Sequence, residues 1–310
     1  MELRHIRYFI EVAEAKSFSQ AAKNLGISQP PLSMQIKDLE EEIGASLFVR
    51  HAHGVSLTDA GKAFLQQMQP LQHQLLSAIQ QAKHVADGQI GELRLGFTGT
   101  SMLNPLVVEA IRHYQQLYPE VQLKLKEANS IVLIEAIRRN ELDIAILRPP
   151  ERAPVDIRLQ HLLTEAMVVA LPVNFPHDAD VIDLLSLKDQ PFILSPQNVS
   201  AGLYDAIIAA CQRRGFQPMI GQFAPQIVSM LSLVAANLGV SLVPESTQHL
   251  NIRGVKYCTL SPAIAQVDLA LAHKMQDYRQ TAVNFASVLN SLCHNAMHSE
   301  SDTIASSFTI

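Results

Sequence analysis

Residues 17–44 read SFSQAAKNLGISQPPLSMQIKDLEEEIG, and two short helices separated by a glycine turn are written into them. Ser17 or Ser19 can cap a helix from Gln20 to Leu25, which stops at Gly26 because glycine tolerates the left-handed backbone that ends a helix. Ser28 can cap the next one. Its apolar stripe is Leu32, Ile36, Leu39 and Ile43, and Gly44 closes it. Pro30 and Pro31 fall in its first turn, where a missing amide hydrogen has no partner within the helix in any case. The start of this helix is polar but almost uncharged: Ser28, Gln29, Ser33 and Gln35. A helix-turn-helix has this form, with the second helix presenting hydroxyls and amides to base edges in the major groove. Plain helical hairpins share the spacing, so the pattern alone does not decide between them.

Upstream, Leu3, Ile6, Phe9, Ile10 and Ala13 recur at helical spacing. Downstream, SLFVR and VSLT flank HAHG (51–54) as a small hairpin. Residues 58–87 then form one long helical pattern capped by Thr58. Its apolar seam is Phe64, Met68, Leu71, Leu75, Ile79, Ala82 and Ala86, narrow enough to call for a partner helix, although a helix packed within its own domain shares the pattern. Pro70 lies inside it and is expected to kink it. From Gly91 the rhythm changes to alternating strand and helix. ELRLGF, VQLKLKE and LDIAIL are strands separated by helices over 103–117 and 131–139, a parallel βαβαβ half. EAMVVALP, FILS, MIGQF and GVSLVP form a second set with helices over 203–214 and 227–238. VDLALAHK and a helix from Arg279 to about Asn295 complete it. Two such halves predict two lobes with a ligand cleft between them. The tail HSESDTIASSFTI is expected to fray.

Composition narrows the function classes. The 310 residues are 48% hydrophobic and 17% charged, ample for packed cores. The opening MELRHIRYFIEVAEAK has charges every few positions, unlike a secretion signal, and no apolar run reaches the length of a membrane span. Three scattered cysteines without CxxC spacing argue against a disulfide framework and for a reducing, cytoplasmic setting. Net charge is −5, and the first 87 residues hold eight Lys and Arg against nine Asp and Glu. Charge alone does not point to DNA.

LRHIRYFIEVAEAKSFSQAAKNLGISQPPLSMQIKDLEEEIGASLFVR, followed by VSLTDAGKAFL, closely resembles the N-terminal region of LysR-type transcriptional regulators. The combination of SFSQAA, ISQPPLS, the I..LE..IG..LF.R run and LT.AG carries the likeness over roughly the first 65 residues. The resemblance implies a mixed α/β protein with residues 1–57 as a winged helix-turn-helix and 58–90 as a linker and dimerisation helix. Residues 91–297 would be two Rossmann-like lobes similar to a periplasmic binding protein, and 298–310 a disordered tail. VAANLGVSLVPES (234–246) looks most like regulators of aromatic-compound catabolism. The implied partners are double-stranded promoter DNA and a small, anionic effector, a carboxylate by expectation. RNA polymerase is a candidate further partner, and the assembly a homodimer or homotetramer.

Carried over residue by residue, base and phosphate contacts fall on Ser28, Gln29, Pro30, Ser33 and Gln35, with Arg50, His51 and His53 at the wing. Met34, His51 and His53 stand where the family commonly has arginine, and each lost phosphate contact flattens the salt dependence of binding. The histidines also fit a solvated turn. For the effector, GFTGTSMLNP (96–105) offers Thr98, Thr100 and Ser101 at a strand end expected to open a helix. ANSIV adds Ser130, and QNVSAGLYD adds Asn198, Ser200 and Gly202. Such hydroxyls also cap helices with no ligand involved. Arg148, just after LDIAIL, fits either a ligand anion or a salt bridge across the lobes.

No cofactor or metal is expected. The chain lacks GxSxG, HExxH, GxGxxG after a strand and a P-loop, which argues against an α/β enzyme. The remaining rival is a cytoplasmic solute-binding protein whose N-terminal region is an oligomerisation module.

Overall fold

The computed structural model describes residues 1–306 except 53, 151, 153, 277 and 278, with side chains through residue 295. The chain divides into two compact units, Met1–His84 and Val85–Ile310.

The first unit begins with α1 (Leu3–Ala15), α2 (Phe18–Leu25) and α3 (Gln29–Ile43). Ser17 caps α2, accepting from the Gln20 amide at 3.3 Å, and Gly26 ends it at φ +71°. The turn into α3 is therefore set by one hydroxyl and one glycine. The hairpin β1 (Phe48–His51) and β2 (Gly54–Leu57) pairs antiparallel, with Phe48 opposite Leu57 and His51 opposite Gly54. Glu40 fastens this wing to α3, its Oε1 accepting from the amides of Leu47 at 2.7 Å and Phe48 at 3.1 Å. Phe9, Ile10, Ala21, Leu32, Ile36, Leu39, Leu47 and Val55 fill the core. Phe9 packs at a tilt on Phe48 and edge-to-face on Phe64, with ring centroids 5.2 and 5.0 Å apart.

α4 (Asp59–Ala86) starts where Thr58 Oγ1 accepts from the Gly61 amide at 2.9 Å. A Cβ on Gly61 would stand 2.1 Å from the Leu47 carbonyl oxygen, so only glycine lets the helix lie this close to the wing. The helix is continuous through Pro70. Phe64, Leu65 and Met68 pack on the core, whereas Leu71, Leu75, Leu76 and Ile79 are exposed.

The second unit is α/β. Its first lobe holds β3 (Ile90–Phe97), α5 (Pro105–Leu117), β4 (Glu120–Glu127), α6 (Ser130–Arg138) and β5 (Ile144–Leu147). β4, β3 and β5 are parallel neighbours, as alternating strands and helices require. β6 (Ile157–Pro172) is a 16-residue strand that crosses into the second lobe. That lobe adds β7 (Val181–Ile182), β8 (Pro191–Leu194), α7 (Ala201–Arg213), β9 (Met219–Phe223), α8 (Ile227–Ala235), β10 (Ser241–Pro244) and β11 (Val255–Leu260). β12 (Gln266–Lys274) returns along β6, and α9 (Gln280–Ser306) closes the chain.

The repeat expected in the second half is only partly parallel. β8 and β9 pair in parallel, but β10, β11 and β12 all run antiparallel to β6. The early part of β6, β7 and β11 escaped sequence reading. Their apolar residues are interrupted by Arg158, Gln160, His161 and Lys256, so no clean run marks them. α9 also extends past Met297 to Ser306, helical backbone where a frayed tail was expected.

Candidate nucleic-acid interface and ligand cleft

The N-terminus of α3 has an unusual feature. Ser28 occupies the cap position, yet its hydroxyl makes no capping hydrogen bond. A cap bonds the amides of the second or third helical residue, and here these are Pro30 and Pro31, which have none. The Ser28 hydroxyl is thereby left exposed and available to an outside partner, as is Pro30. Gln29 is exposed and accepts from the Ser19 hydroxyl at 2.8 Å, which orients its amide. Ser33 is half-buried, and Met34 beside it is exposed.

Gln35 is less free than its sequence position suggested. Its Oε1 lies 3.0 Å from His5 Nε2, and its Nε2 donates to Asp38 Oδ2 at 3.2 Å. It joins α3 to α1, so base contact would require it to leave these partners. At the wing, the Arg50 guanidinium sits 4.7 Å from the Phe18 ring centroid, a cation–π contact that holds it on the exposed face. His51 Nε2 is 2.7 Å from the Ser56 hydroxyl. His53 lies outside the described residues.

The C-terminal unit contains a cleft of about 430 Å³ lined from both lobes. Thr98, Thr100, Ser130, Arg148 and Ser200 line it, while Ser101, Asn198 and Gly202 do not. Each exclusion has a local cause. Ser101 is buried, its hydroxyl donating to the carbonyls of Thr98 at 2.8 Å and Ile146 at 3.1 Å. It closes the loop after β3. That loop is a turn rather than a helix start, since α5 begins at Pro105 with Asn104 as its cap. Asn198 is exposed away from the cleft. Gly202 allows close approach, because a Cβ there would meet the Pro149 carbonyl oxygen at 2.5 Å.

Thr98 is largely engaged in the same turn, whereas Thr100 is half-buried on the cleft wall. Ser130 is buried and donates to the Arg148 carbonyl at 2.9 Å, and the cap of α6 is Asn129 instead, accepting from Val132. Ser200 sits at the cap of α7 without a capping bond, so its hydroxyl is free to face the cleft. Arg148 is 1% exposed, with Nη2 2.5 Å from Glu165 Oε2. Glu165 Oε1 in turn accepts from the Ser246 amide at 2.7 Å. Arg148 Nε and Nη1 and the Ser195 hydroxyl are buried without a partner among the described residues. Buried donors are rarely left so, and both residues line the cleft. Sequence reading missed Ser195, Glu127, Gln226 and, on the apolar side, Leu203, Ile227 and Met230. They lie on separate elements that only folding gathers.

Residues 3–62 match the bacterial regulatory helix-turn-helix family of the LysR type, and residues 86–286 match the LysR substrate binding domain. The chain belongs to the LysR family of transcriptional regulators. The regulator is 35% identical to BudR of Raoultella terrigena over 92% of its own length and 99% of that protein. It is 33% identical to AlsR of Bacillus subtilis over 97% and 99%. Full-length BenM superposes with a TM-score of 0.59 at 29% identity, covering 96% of this chain and 98% of that one. CbnR bound to its target DNA shares the fold, with a TM-score of 0.71 at 23% identity over 94% and 100%. The regulator thus combines a DNA-binding helix-turn-helix with an effector-binding domain, and its relatives are transcriptional regulators rather than enzymes. Among the described residues no group of acidic, His or Cys side chains could hold a metal ion, and no helix is long and apolar enough to cross a membrane.

Proposed function

We propose that the regulator binds double-stranded promoter DNA in the cytoplasm as a homodimer or homotetramer and answers to a small effector that presents a carboxylate. Residues 1–57 form the DNA-binding domain, 58–90 the dimerising helix and 91–297 the effector domain. Ser28, Gln29, Pro30 and Ser33 meet base edges and backbone, with Arg50 and His51 on phosphates. The exposed Leu71, Leu75 and Ile79 of α4 support self-association, since a seam of this kind is rarely left in water. RNA polymerase is the further partner when bound regulator activates transcription. Control of aromatic-compound catabolism rests on the 234–246 segment alone, and the relatives are mixed.

One observation carries the effector reading: the two orphan guanidinium nitrogens of Arg148 in a cleft that also presents Thr100, Ser195 and Ser200. Planar donors without acceptors suit a carboxylate. Effector binding would shift the populations of lobe arrangements and so the DNA-bound form. In a mobility-shift assay with the upstream intergenic DNA, the folded protein retards the fragment at low salt, and no retardation would remove the DNA reading. Thr100→Val should keep DNA binding and lose the effector response in a reporter strain. An unchanged response would take Thr100 off the site.

A further inference from the structure

Among the described residues two formally charged side chains line the cleft, Glu127 and Arg148, and their situations differ. Arg148 is buried and its charge is already balanced by Glu165, although two of its nitrogens still lack acceptors. Glu127, at the end of β4, is exposed, and among the described residues no hydrogen bond or ion pair engages its carboxylate. Taken together, and among the described residues, Arg148, Glu165 and Glu127 leave the cleft with one uncompensated negative charge. A ligand that brought only a carboxylate would satisfy Arg148 and face this charge, and in a partly enclosed cleft the repulsion is screened less than in bulk water.

The backbone fixes where the two charges stand. Glu127 is level with Phe97 on β3, and Phe97 is level with Ile146 on β5, two residues before Arg148. β4 and β5 are two strand spacings apart, about 10 Å, so side chains from each can reach opposite polar ends of one small molecule. Glu127 is also drawn over the loop after β3, because a Cβ on Gly99 would lie 2.8 Å from its Oε1. From the second lobe, Val199, Leu203, Ile227 and Met230 supply an apolar wall.

Resting on the cleft's role as the effector site, we propose that its ligand is a zwitterionic amino acid with an apolar side chain. The carboxylate lies on the Arg148 guanidinium with Ser195, the ammonium group on Glu127, and the side chain against the second-lobe wall. Every uncompensated group then gains a partner of opposite character, and the ligand adds no net charge. Glu127 is the residue that separates amino acids from simple carboxylic acids.

Two matched probe series test this on the full-length protein by titration calorimetry: leucine, 4-methylpentanoate and 3-methylbutylamine, and phenylalanine, 3-phenylpropanoate and 2-phenylethylamine. In at least one series the amino acid should bind at least tenfold more tightly than its acid and its amine. Glu127→Gln should weaken the amino acid roughly tenfold and narrow the gap to the acid, the scale of one lost charge-assisted hydrogen bond. Gly99→Ala should do the same with the charge retained, by displacing the carboxylate. An acid that binds as well as its amino acid, or Glu127→Gln without effect, would overturn the proposal and leave a carboxylate effector standing. Silence in both series would also overturn it. Whether the cleft senses an effector at all is then decided separately by the reporter response of Thr100→Val.

Discussion

Arg148 Nη2 and Glu165 Oε2 are 2.5 Å apart, and this is the one ion pair among the described residues with both side chains buried, at 1% and 7% exposure. Arg148 follows β5, and Glu165 lies where β6 passes between lobes, so the pair ties the cleft floor to the crossover strand. Removing one member of a buried pair leaves the other charged and unpartnered. Glu165→Ala should therefore destabilise the C-terminal unit by about 3–5 kcal/mol, read as a drop in its thermal midpoint. The double variant Arg148→Met with Glu165→Leu should recover most of that loss while losing the effector response. A single variant as stable as the parent would show that the pair opens to solvent.

Ser17 and Ser28 occupy equivalent cap positions, but only Ser17 makes the capping bond. Ser17→Ala should lower the stability of the N-terminal unit by about 1 kcal/mol. Ser28→Ala should leave it nearly unchanged and weaken DNA binding, measured by anisotropy on the same two proteins. Equal stability losses would mean that Ser28 finds a capping partner in solution.

Met34 is 58% exposed on the same helix as Ser33. Met34→Arg should restore a phosphate contact and steepen the salt dependence of DNA binding by about 0.9 in log K per log salt. An unchanged slope would place Met34 away from the backbone.

Leu75 is 39% exposed in the middle of the α4 seam. Leu75→Glu puts a charge into that seam and should shift the protein toward monomer in sedimentation velocity, with DNA affinity falling alongside. A variant that sediments like the parent would move the interface elsewhere.

Burial pushes the Cys211 thiol up to about 12 and raises those of Cys258 and Cys293. Because the thiolate is the reactive form, all three should react with Ellman's reagent far more slowly at pH 8 in the native protein than after denaturation. Prompt modification of one thiol before unfolding would show that its segment opens readily.

The N-terminal unit was legible because its signals are local. A cap, a glycine turn and an apolar stripe each act within a few residues, and the helices at 18–25 and 29–43 lie close to where those signals place them. The first lobe was legible for a related reason, since ELRLGF and VQLKLKE set apolar against polar residues in turn and the buried β5 is a continuous apolar run. The second lobe was harder. β11 and the early part of β6 alternate with polar residues and gain their identity from pairing with strands distant in sequence.

The site divides in the same way. Thr100, Ser130, Arg148 and Ser200 are at strand ends or helix starts, positions that local sequence marks and that the fold brings to the cleft. Sequence could not decide whether Arg148 serves a ligand or a structural pair, and tertiary structure leaves room for both: one nitrogen on Glu165 and two without an acceptor among the described residues. Ser101 and Gly202 carried the same local signals yet went to loop closure and backbone approach, because a hydroxyl or a missing Cβ takes its role from what folds against it. By itself, then, the sequence determined the helix-turn-helix, with the two prolines that free the Ser28 hydroxyl, and the alternation that builds the first lobe. Only the tertiary structure set Glu127, Ser195 and the apolar wall opposite Arg148, since charge balance in a cleft is a property of side chains that meet in space.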